Sequence, residues 1–165
     1  VRNRPMTISV GQRMPEGSFR ILSDKGPRLI SSEEIFSGKK VVLLSVPGAF
    51  TPTCSMNHLP GYLQHFDQLS ARGVDTIACM AVNDAFVMSA WGKDLGAEGK
   101  VLMLADGERE YTSALGLDLD ASRSGLGMRG QRCAIIVDDG VATHVAIEAP
   151  AQFEVSKAEA ILEAL

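Results

Sequence analysis

Cys54 stands in a segment whose residue types and spacing suit thiol chemistry. An apolar run over 41–46, which has the character of a buried strand, precedes it, and a helical pattern follows it. A cysteine at such a junction lies at the helix N-terminus, where free N–H groups and the helix dipole stabilise negative charge. Because the thiolate is the reactive form of cysteine, the position predicts one activated nucleophile.

The positions beside Cys54 distinguish two kinds of redox chemistry. A dithiol–disulfide reductase needs a second cysteine three residues away, but those positions hold Thr51 and Asn57. A disulfide reductase is therefore disfavoured. The hydroxyl of Thr51 can instead donate to or accept from a small polar substrate, while Pro47 and Pro52 stiffen the loop and remove competing backbone donors.

The elements that must position Cys54 alternate between strands and helices. Helical crossovers between the first three long strands imply parallel pairing, and the Asp-Asp-Gly sequence at 138–140 predicts an antiparallel hairpin. The result is an α/β fold of the thioredoxin-like kind, with a mixed central sheet flanked by helices. Ligands bind at the carboxyl ends of the strands in such sheets, which is where Cys54 lies. The predicted strands span 41–46, 76–82, 101–105, 133–137 and 141–147.

Three local features add detail to this outline. Pro60 is expected to kink the helix after Cys54, since proline lacks the N–H that an inner turn needs. The glycine-rich stretch 118–131 is predicted to be a long loop. Ser156 and Glu159 have the spacing of a capping box, which predicts that the last helix begins at Ser156.

Length and composition are those of one ordinary globular domain spanning residues 1–165. We expect residues 1–5 to be the remnant of a tag or leader, because Met6 is a natural place for the chain to start. The net charge of −4 and the scattered Lys and Arg give no support to nucleic-acid binding. No apolar stretch approaches the ~20 residues that span a bilayer, so no membrane segment is expected.

The cysteine and histidine content indicates a reducing compartment and no metal site. Three cysteines at irregular spacing do not form a secreted disulfide framework, and no secretory signal is visible, which favours a cytoplasmic location. The three histidines lack the cysteine or carboxylate spacing of a metal site. We expect His58, one turn after Cys54, to pack in the core, with a hydrogen bond near Cys54 as the alternative.

The motif Pro47-x-x-x-Thr51-x-x-Cys54 resembles the active-site motif of peroxiredoxins. The surrounding residues are similar to the peroxiredoxin-5 subfamily, which includes plant type II and bacterial glutaredoxin-linked members. The similarity extends over nearly the whole chain from about Met6. The blocks that carry it are 47–55, 58–61, 82–87, Trp91, 104–107, 115–117, Arg132 and 138–140.

This resemblance implies the reduction of hydrogen peroxide and organic hydroperoxides. The Cys54 thiolate would attack one peroxide oxygen and become a sulfenic acid, while water or an alcohol leaves. The resemblance assigns the fixed cation to Arg132, with Arg129 as a supporting charge or as the cation instead. Arginine suits the role because it keeps its proton and presents several donors in a fixed fork.

The same resemblance assigns the groups that hold the peroxide. The Thr51 hydroxyl and the backbone N–H groups of Thr53 and Cys54 would contact its oxygens, with Gly48 and Arg129 as further substrate-binding candidates. Each such preorganised donor is worth about 3–4 kcal/mol, judged from oxyanion holes.

A thioredoxin-like redox-sensing module without significant turnover is the alternative function. The same thiolate chemistry at Cys54 would serve a sensor and a peroxidase. The presence of both Thr51 and Arg132 favours catalysis, because a sensor need not stabilise a leaving alkoxide.

The residues specify the second half-reaction less clearly. Cys79 matches the resolving cysteine assigned in plant type II members, but it lies in the middle of the strand 76–82. A disulfide needs Cα atoms within about 7 Å, which such a residue reaches only with local unfolding, so a resolving role and plain core packing both stay open. Cys133, at the start of a strand, is expected to pack in the core.

If Cys79 does not resolve, an external thiol must reduce the sulfenic acid. Glutathione with glutaredoxin is the natural candidate, thioredoxin is the other, and no bound cofactor is expected. Family members usually form homodimers near the active-site loops. The expected interface is the stretch 118–131, with Leu117 and Leu126.

Overall fold

A seven-stranded sheet with helices on both faces forms the centre of the protein, in a computed structural model that describes residues 6–165. The expectation for residues 1–5 lies outside the described residues. The described part of the chain forms nine strands: β1 (Ser18–Ser23), β2 (Gly26–Ser31), β3 (Lys40–Ser45), β4 (Thr76–Ala81), β5 (Val101–Ala105), β6 (Asp118–Ala121), β7 (Gly127–Gly130), β8 (Cys133–Asp138) and β9 (Val141–Ile147).

The helices are short, and the longest has ten residues. A π-helical turn over Cys54–His58 follows β3, and a 3₁₀ turn over Ser122–Ser124 lies between β6 and β7. The α-helices are α1 (Ser32–Phe36), α2 (Leu59–Gln64), α3 (Phe66–Ala71), α4 (Ala85–Asp94), α5 (Glu110–Ala114) and α6 (Ala158–Ala164).

The central sheet is mixed, with the strand order β2-β1-β5-β4-β3-β8-β9. β3 pairs with β4, and β4 with β5, in parallel, whereas β8 lies antiparallel to β3 and to β9. The predicted thioredoxin-like α/β fold is confirmed. Since the parallel strands end at the same edge, the loop that carries Cys54 leaves the sheet beside the loops that follow β4 and β5.

Strand β3 is buried on both faces because helices cover both sides of the sheet. Val42 and Leu44 pack on one side in a cluster that includes Trp91, and Leu43 packs on the other in a cluster that includes Tyr111. A strand covered on both faces has a nearly continuous apolar sequence rather than an alternating one. Burying each such side chain contributes about 1.5–3 kcal/mol, so β3 is a rigid base for the loop that follows it.

The prediction of a long loop over 118–131 is wrong, because β6 and β7 pair there as a separate two-stranded hairpin. Its register runs from Asp118 opposite Gly130 to Ala121 opposite Gly127. Gly125 and Gly127 adopt φ values of +74° and +71°, which a glycine adopts without steric cost. These glycines form the tight turn of the hairpin, and their number suggested a loop.

The predicted capping box at Ser156 is also wrong. Helix α6 begins at Ala158, and its N-cap, Lys157, makes no side-chain capping bond. The Ser156 hydroxyl donates instead to the buried carboxylate of Glu148, at 2.6 Å. A charge-assisted bond of this kind is stronger than a neutral cap, so Ser156 belongs to the loop before the helix.

The irregularity expected at Pro60 takes the form of a wide turn just before it. The Leu59 N–H donates to the carbonyl of Cys54, five residues back, as in a π-helix. Pro60 then lies in the first turn of α2, where no backbone N–H is required. The wide turn therefore spans the residues that carry the candidate chemistry, Cys54 to His58.

Candidate active site

The Cys54 side chain is fully buried at the start of the π-helical turn. The chain reaches it through Phe50, whose φ of +64° is uncommon for a bulky residue. The N–H of Ser55 then donates to the carbonyl of Thr51 at 3.0 Å. The preceding backbone N–H groups, in the first turn, have no partner within the helix, so they are available to a ligand at this end of the turn.

Two polar side chains contact the sulfur of Cys54. The Oγ1 of Thr51 lies 2.9 Å from Sγ, and the Nη2 of Arg132 donates to Sγ at 3.1 Å. The structure therefore brings together Cys54 and Thr51 of the motif with Arg132, the cation that the resemblance implies. The guanidinium of Arg132 supplies both a positive charge and a directed donor to the sulfur.

The hydroxyl of Thr51 has two neighbours and one hydrogen. It lies 2.7 Å from the carbonyl oxygen of Gly48 as well as 2.9 Å from the sulfur of Cys54. It can donate to only one of these at a time. When it donates to Gly48, its oxygen lone pairs are available to a donor that enters the site.

The second arm of the Arg132 guanidinium is held by His58. The Nη1 of Arg132 donates to Nδ1 of His58 at 3.0 Å, and Nε2 of the same ring lies 3.2 Å from the carbonyl of Ser156. Since Nδ1 accepts, the ring proton lies on Nε2 and is donated to Ser156. His58 combines the two expected arrangements: it is fully buried in the core, and it is hydrogen-bonded to a side chain that contacts Cys54.

His58 is neutral because of its surroundings. Burial, and then the positive charge of Arg132, lower the pKa of His58 from the ordinary 6.5 to about 3. A neutral ring is required here, since an imidazolium has no lone pair to accept from Arg132.

The depressed pKa of His58 predicts a stability loss in acid. Between pH 6.5 and about 3, this histidine binds a proton in the unfolded chain but not in the folded one, so folding stability falls as pH falls. We expect His58→Asn, which keeps an acceptor but does not titrate, to remove this component. Urea unfolding at pH 7, 6, 5 and 4 should show the wild type losing up to about 1.4 kcal/mol per pH unit relative to the variant. Parallel pH dependences of the two proteins would contradict this assignment.

Arg129 stabilises the loop before Cys54 through hydrogen bonds to backbone carbonyls. Its Nε donates to the carbonyl of Leu126 at 2.9 Å, and its Nη1 lies 3.3 Å from the carbonyl of Val82 and 3.5 Å from that of Pro47. Among the described residues its hydrogen bonds go to backbone carbonyls, whereas Arg132 contacts the sulfur. The two arginines that the sequence leaves as alternatives thus have different positions.

Gly48 is the point at which the loop and Arg129 approach most closely. A Cβ at this position would lie 2.9 Å from Nη1 of Arg129 and 3.2 Å from Cγ2 of Thr51. A larger residue would have to displace the guanidinium of Arg129. Gly48 therefore fixes the spacing of the loop, and its carbonyl, rather than a side chain, contacts Thr51.

A cleft of about 280 Å³ opens beside the buried sulfur. It is lined by apolar surface, including Leu119 and Phe153, and by the polar side chains of Thr53 and Arg132. A larger cleft of about 530 Å³ lies near Asp139, which follows the strand that pairs with the amino end of β3. That cleft is far from the cysteine, so its size does not mark it as the site.

The other two cysteines are buried in the central sheet. Cys79 lies in β4 opposite Leu44, and burial, followed by the nearby Cys54 charge, raises the pKa of its thiol. Cys133 opens β8, and burial raises the pKa of its thiol to about 12. All three cysteines are free. The structure thus places Cys79 within a hydrogen-bonded strand, and Cys133 in the core on the other face of the sheet from Cys54.

Two residues of the site have no counterpart among the sequence predictions. Phe153 packs its ring against His58, with centroids 5.2 Å apart, and lies 6.0 Å from Cζ of Arg132. Glu148 is buried at the end of β9, where it accepts hydrogen bonds from the following loop. An acidic residue directly after a largely apolar strand was the available signal for Glu148.

Within residues 6–165 no group of three His, Cys, Asp or Glu side chains could hold a metal ion. Over the same residues, each helix is too short or too polar to cross a bilayer.

A thioredoxin-like sheet that presents a single cysteine to a hydroxyl and a guanidinium defines a one-thiol redox site. The redoxin family model matches residues 9–162 of the chain. Peroxiredoxin-2B of Arabidopsis thaliana is 45% identical over 159 residues, which cover 96% of this chain and 98% of that protein.

Solved structures give the same result. Reduced Prx3 from Vibrio vulnificus in complex with hydrogen peroxide is 53% identical, with a TM-score of 0.92 over 96% of this chain and 99% of the other. Peroxiredoxin 5 from Alvinella pompejana is 38% identical, with a TM-score of 0.83 over 94% and 96%. The chain belongs to the redoxin family. Within it, the chain is a peroxiredoxin of the peroxiredoxin-5/type II group and therefore a thiol peroxidase.

Proposed function

We propose that Cys54 is the peroxidatic nucleophile of this thiol peroxidase. The observation that supports this most directly is the position of its sulfur between Thr51, at 2.9 Å, and Arg132, at 3.1 Å. The thiolate attacks one peroxide oxygen, so that an S–O bond forms as the O–O bond breaks. The proton of the attacked oxygen passes to the leaving oxygen. Cys54 becomes a sulfenate, and water or an alcohol is released.

Thr51 and Arg132 stabilise charge at different stages of this step. Arg132 faces the thiolate before attack and the leaving oxygen afterwards, and it cannot lose its proton. Thr51 keeps its bond to the Gly48 carbonyl and accepts from the peroxide O–H through a lone pair. The backbone N–H groups of Thr53 and Cys54 complete the binding of the peroxide oxygens. Such donors are most effective where water is excluded.

The residues around these groups have supporting roles. Pro47 lines the cleft beside the sulfur and accepts a hydrogen bond from Arg129. Gly48 leaves room for Arg129, which we assign to the support of the loop and not to direct contact with the peroxide. The apolar lining of the cleft suits the tail of an organic hydroperoxide, and the smaller hydrogen peroxide fits the cleft as well.

The chain's single tryptophan provides a direct test of this assignment. The Nε1 of Trp91 donates to Oγ of Ser55 at 2.9 Å, so it is hydrogen-bonded to the residue next to Cys54. We expect a fluorescence change when the reduced protein is mixed with peroxide in a stopped-flow instrument. The observed rate should rise linearly with peroxide concentration, and mass spectrometry of the dimedone-trapped product should locate the adduct on Cys54. An adduct on another cysteine would contradict the proposal.

We infer that an external thiol reduces the sulfenic acid. Cys79 is fully buried within β4, and burial disfavours its thiolate. Two equivalents of glutathione, the second delivered directly or through glutaredoxin, supply both electrons: the first forms a mixed disulfide with Cys54 and releases water, and the second releases oxidised glutathione. Thioredoxin is the alternative donor. The cycle needs no bound cofactor, and a reducing compartment such as the cytoplasm suits it.

Cys79→Ser tests whether an internal thiol takes part. We expect peroxide turnover with glutathione and glutaredoxin to be unchanged in this variant, because Cys79 is enclosed in the sheet. Turnover with the thioredoxin system, measured in parallel, identifies the preferred donor. Mass spectrometry of the oxidised wild-type protein under non-reducing conditions provides the check. A Cys54–Cys79 disulfide, together with lost turnover in the variant, would make Cys79 the resolver.

We propose that the protein forms a homodimer through an apolar surface beside the site. Phe50, Phe86 and Met128 are exposed by 53%, 61% and 42%. The segments that carry them adjoin one another, since the N–H of Ala49 donates to Asn83 and Arg129 donates to the carbonyl of Val82. Exposed apolar clusters of this kind mark interaction surfaces. Sedimentation of the reduced protein tests this proposal.

One part of the expected interface needs revision. Leu117 is fully buried in the core, so it is not available to a partner. Leu126 is half-buried at the turn of the β6–β7 hairpin, next to exposed Met128. The proposed interface therefore involves this hairpin turn, the loop of Phe50 and the first turn of α4, which carries Phe86.

A further inference from the structure

The loop that follows β9, residues 149–157, is folded around one carboxylate. The Oε2 of Glu148 accepts from the N–H of Glu154 at 2.8 Å and from the N–H and hydroxyl of Ser156 at 2.9 and 2.6 Å. Its Oε1 accepts from the N–H of Val155 at 3.3 Å. Four donors therefore converge on the side chain of Glu148, a residue that is only 8% exposed.

This carboxylate must be ionised to serve four donors. Burial by itself raises the pKa of Glu148, but the hydrogen bonds from Ser156, Glu154 and Val155 outweigh it, so the pKa lies below its usual value. A protonated carboxyl or an amide carries a donor of its own, which would face one of these N–H groups and replace a hydrogen bond with a contact between two donors.

The ordered loop presents one carbonyl to the site. The carbonyl oxygen of Ser156 accepts from the hydroxyl of Tyr62 at 2.6 Å and from Nε2 of His58 at 3.2 Å. Both of its lone pairs are thus used. Because this bond fixes the proton on Nε2, it leaves Nδ1 as the acceptor that holds Arg132.

Residues 148–157 also approach Arg132 at two other points, one on its side chain and one on its backbone. Phe153 lies 6.0 Å from Cζ of Arg132 and packs edge-on against His58. At the base of the loop, the N–H of Glu148 donates to the carbonyl of Arg132 at 3.0 Å. The backbone and the side chain of Arg132 are therefore both tied to the segment that Glu148 organises.

We propose that Glu148 is a positioning residue for peroxide reduction: by folding residues 149–157 around its carboxylate, it sets the tautomer of His58 and so directs Arg132 at Cys54. Its action is indirect, since its carboxylate contacts the loop and not the sulfur. This inference rests on the proposed roles of Cys54 and Arg132.

Glu148→Gln tests the proposal, and Glu154→Gln is the matched control. Both variants remove one negative charge from the same segment, but the side chain of Glu154 is exposed. Two quantities are measured: the rate constant for peroxide from Trp91 fluorescence, and the pH midpoint of Cys54 alkylation by iodoacetamide. In Glu148→Gln we expect the rate constant to fall on the order of tenfold to a hundredfold and the midpoint to move to higher pH. Glu154→Gln should match the wild type in both.

A double variant tests the route through the imidazole. If Glu148 acts through His58, its substitution should add little further loss in a His58→Asn background, because residues in one network are not additive. Fully additive losses would overturn this route.

The remaining outcomes are also decisive. A lower melting temperature in Glu148→Gln, with an unchanged rate constant and midpoint, would reduce Glu148 to a structural role and overturn the proposal. If Glu148→Gln does not fold, Ser156→Ala removes only the 2.6 Å bond and should shift both quantities in the same direction, by less. An unchanged rate constant and midpoint there would equally overturn it. A wild-type protein that reacts with peroxide no faster than a free thiol would instead refute the proposed function.

Discussion

Cys54→Ser is expected to lower peroxide reduction to the uncatalysed rate, at least about 10³-fold below the wild type. The serine hydroxyl is a far weaker nucleophile than a thiolate, and it cannot form a sulfenic acid that a thiol later reduces. The hydroxyl still fits the buried site between Thr51 and Arg132, so the fold should be kept. Peroxide consumption with dithiothreitol as the reductant measures the effect, and circular dichroism checks the fold.

Cys133→Ser is the matched control for this experiment. It makes the same substitution at another fully buried cysteine, on the opposite face of the sheet from the site. We expect some loss of stability, because a hydroxyl replaces a thiol in an apolar core, but a normal rate constant for peroxide. Unchanged turnover in Cys54→Ser would refute the assignment of the nucleophile.

The position of Cys54 could be predicted because it follows from local sequence. A continuous apolar strand, a proline-rich turn and a helical pattern place Cys54 at a strand–helix junction in any α/β sheet. The spacing from Thr51 to Cys54 is one helical turn, so their contact is also local. The strand–helix junction and the contact between Thr51 and Cys54 both depend on residues close in sequence, and the structure contains both features.

Spacing alone could not predict which of the two arginines contacts Cys54. Arg129 and Arg132 are three residues apart, but the chain leaves the small hairpin after Gly130 and joins the central sheet at Cys133. Arg129 therefore belongs to β7 and faces the loop carbonyls, whereas Arg132 approaches the sulfur. That difference depends on the β6–β7 hairpin, and the glycines at its turn led to the prediction of a loop there.

The support behind Arg132 could not be predicted for a different reason. His58 is far in sequence from Glu148 and Ser156, and the bond between His58 and Ser156 forms only when the π-helical turn packs against the loop that follows β9. The capping-box pattern at Ser156 and Glu159 also competes with this arrangement. The Ser156 hydroxyl binds the buried carboxylate of Glu148 rather than capping the last helix, because four donors together stabilise that carboxylate.

Arg132→Met is expected to lower the rate constant for peroxide by about 10²–10³-fold, the usual loss when one such donor is removed from a site that is shielded from water. Methionine fills much of the same volume, so the effect reports the lost charge and donors. The pH midpoint of Cys54 alkylation should move to higher pH, since no cation then stabilises the thiolate. Stopped-flow fluorescence of Trp91 gives the rate constant. Arg123→Met, at an exposed position on the 3₁₀ turn, is the control and should behave like the wild type.

Arg132→Lys separates charge from geometry. The two arms of Arg132 bind different partners, with Nη1 on His58 and Nη2 on Cys54. The single nitrogen of lysine cannot hold both positions at once. We therefore expect Arg132→Lys to restore most of the alkylation midpoint but only part of the rate constant, because the leaving oxygen needs a directed donor as well as a charge. A lysine variant as fast as the wild type would show that charge alone is sufficient, and the orientation of the guanidinium by His58 would then have no catalytic consequence.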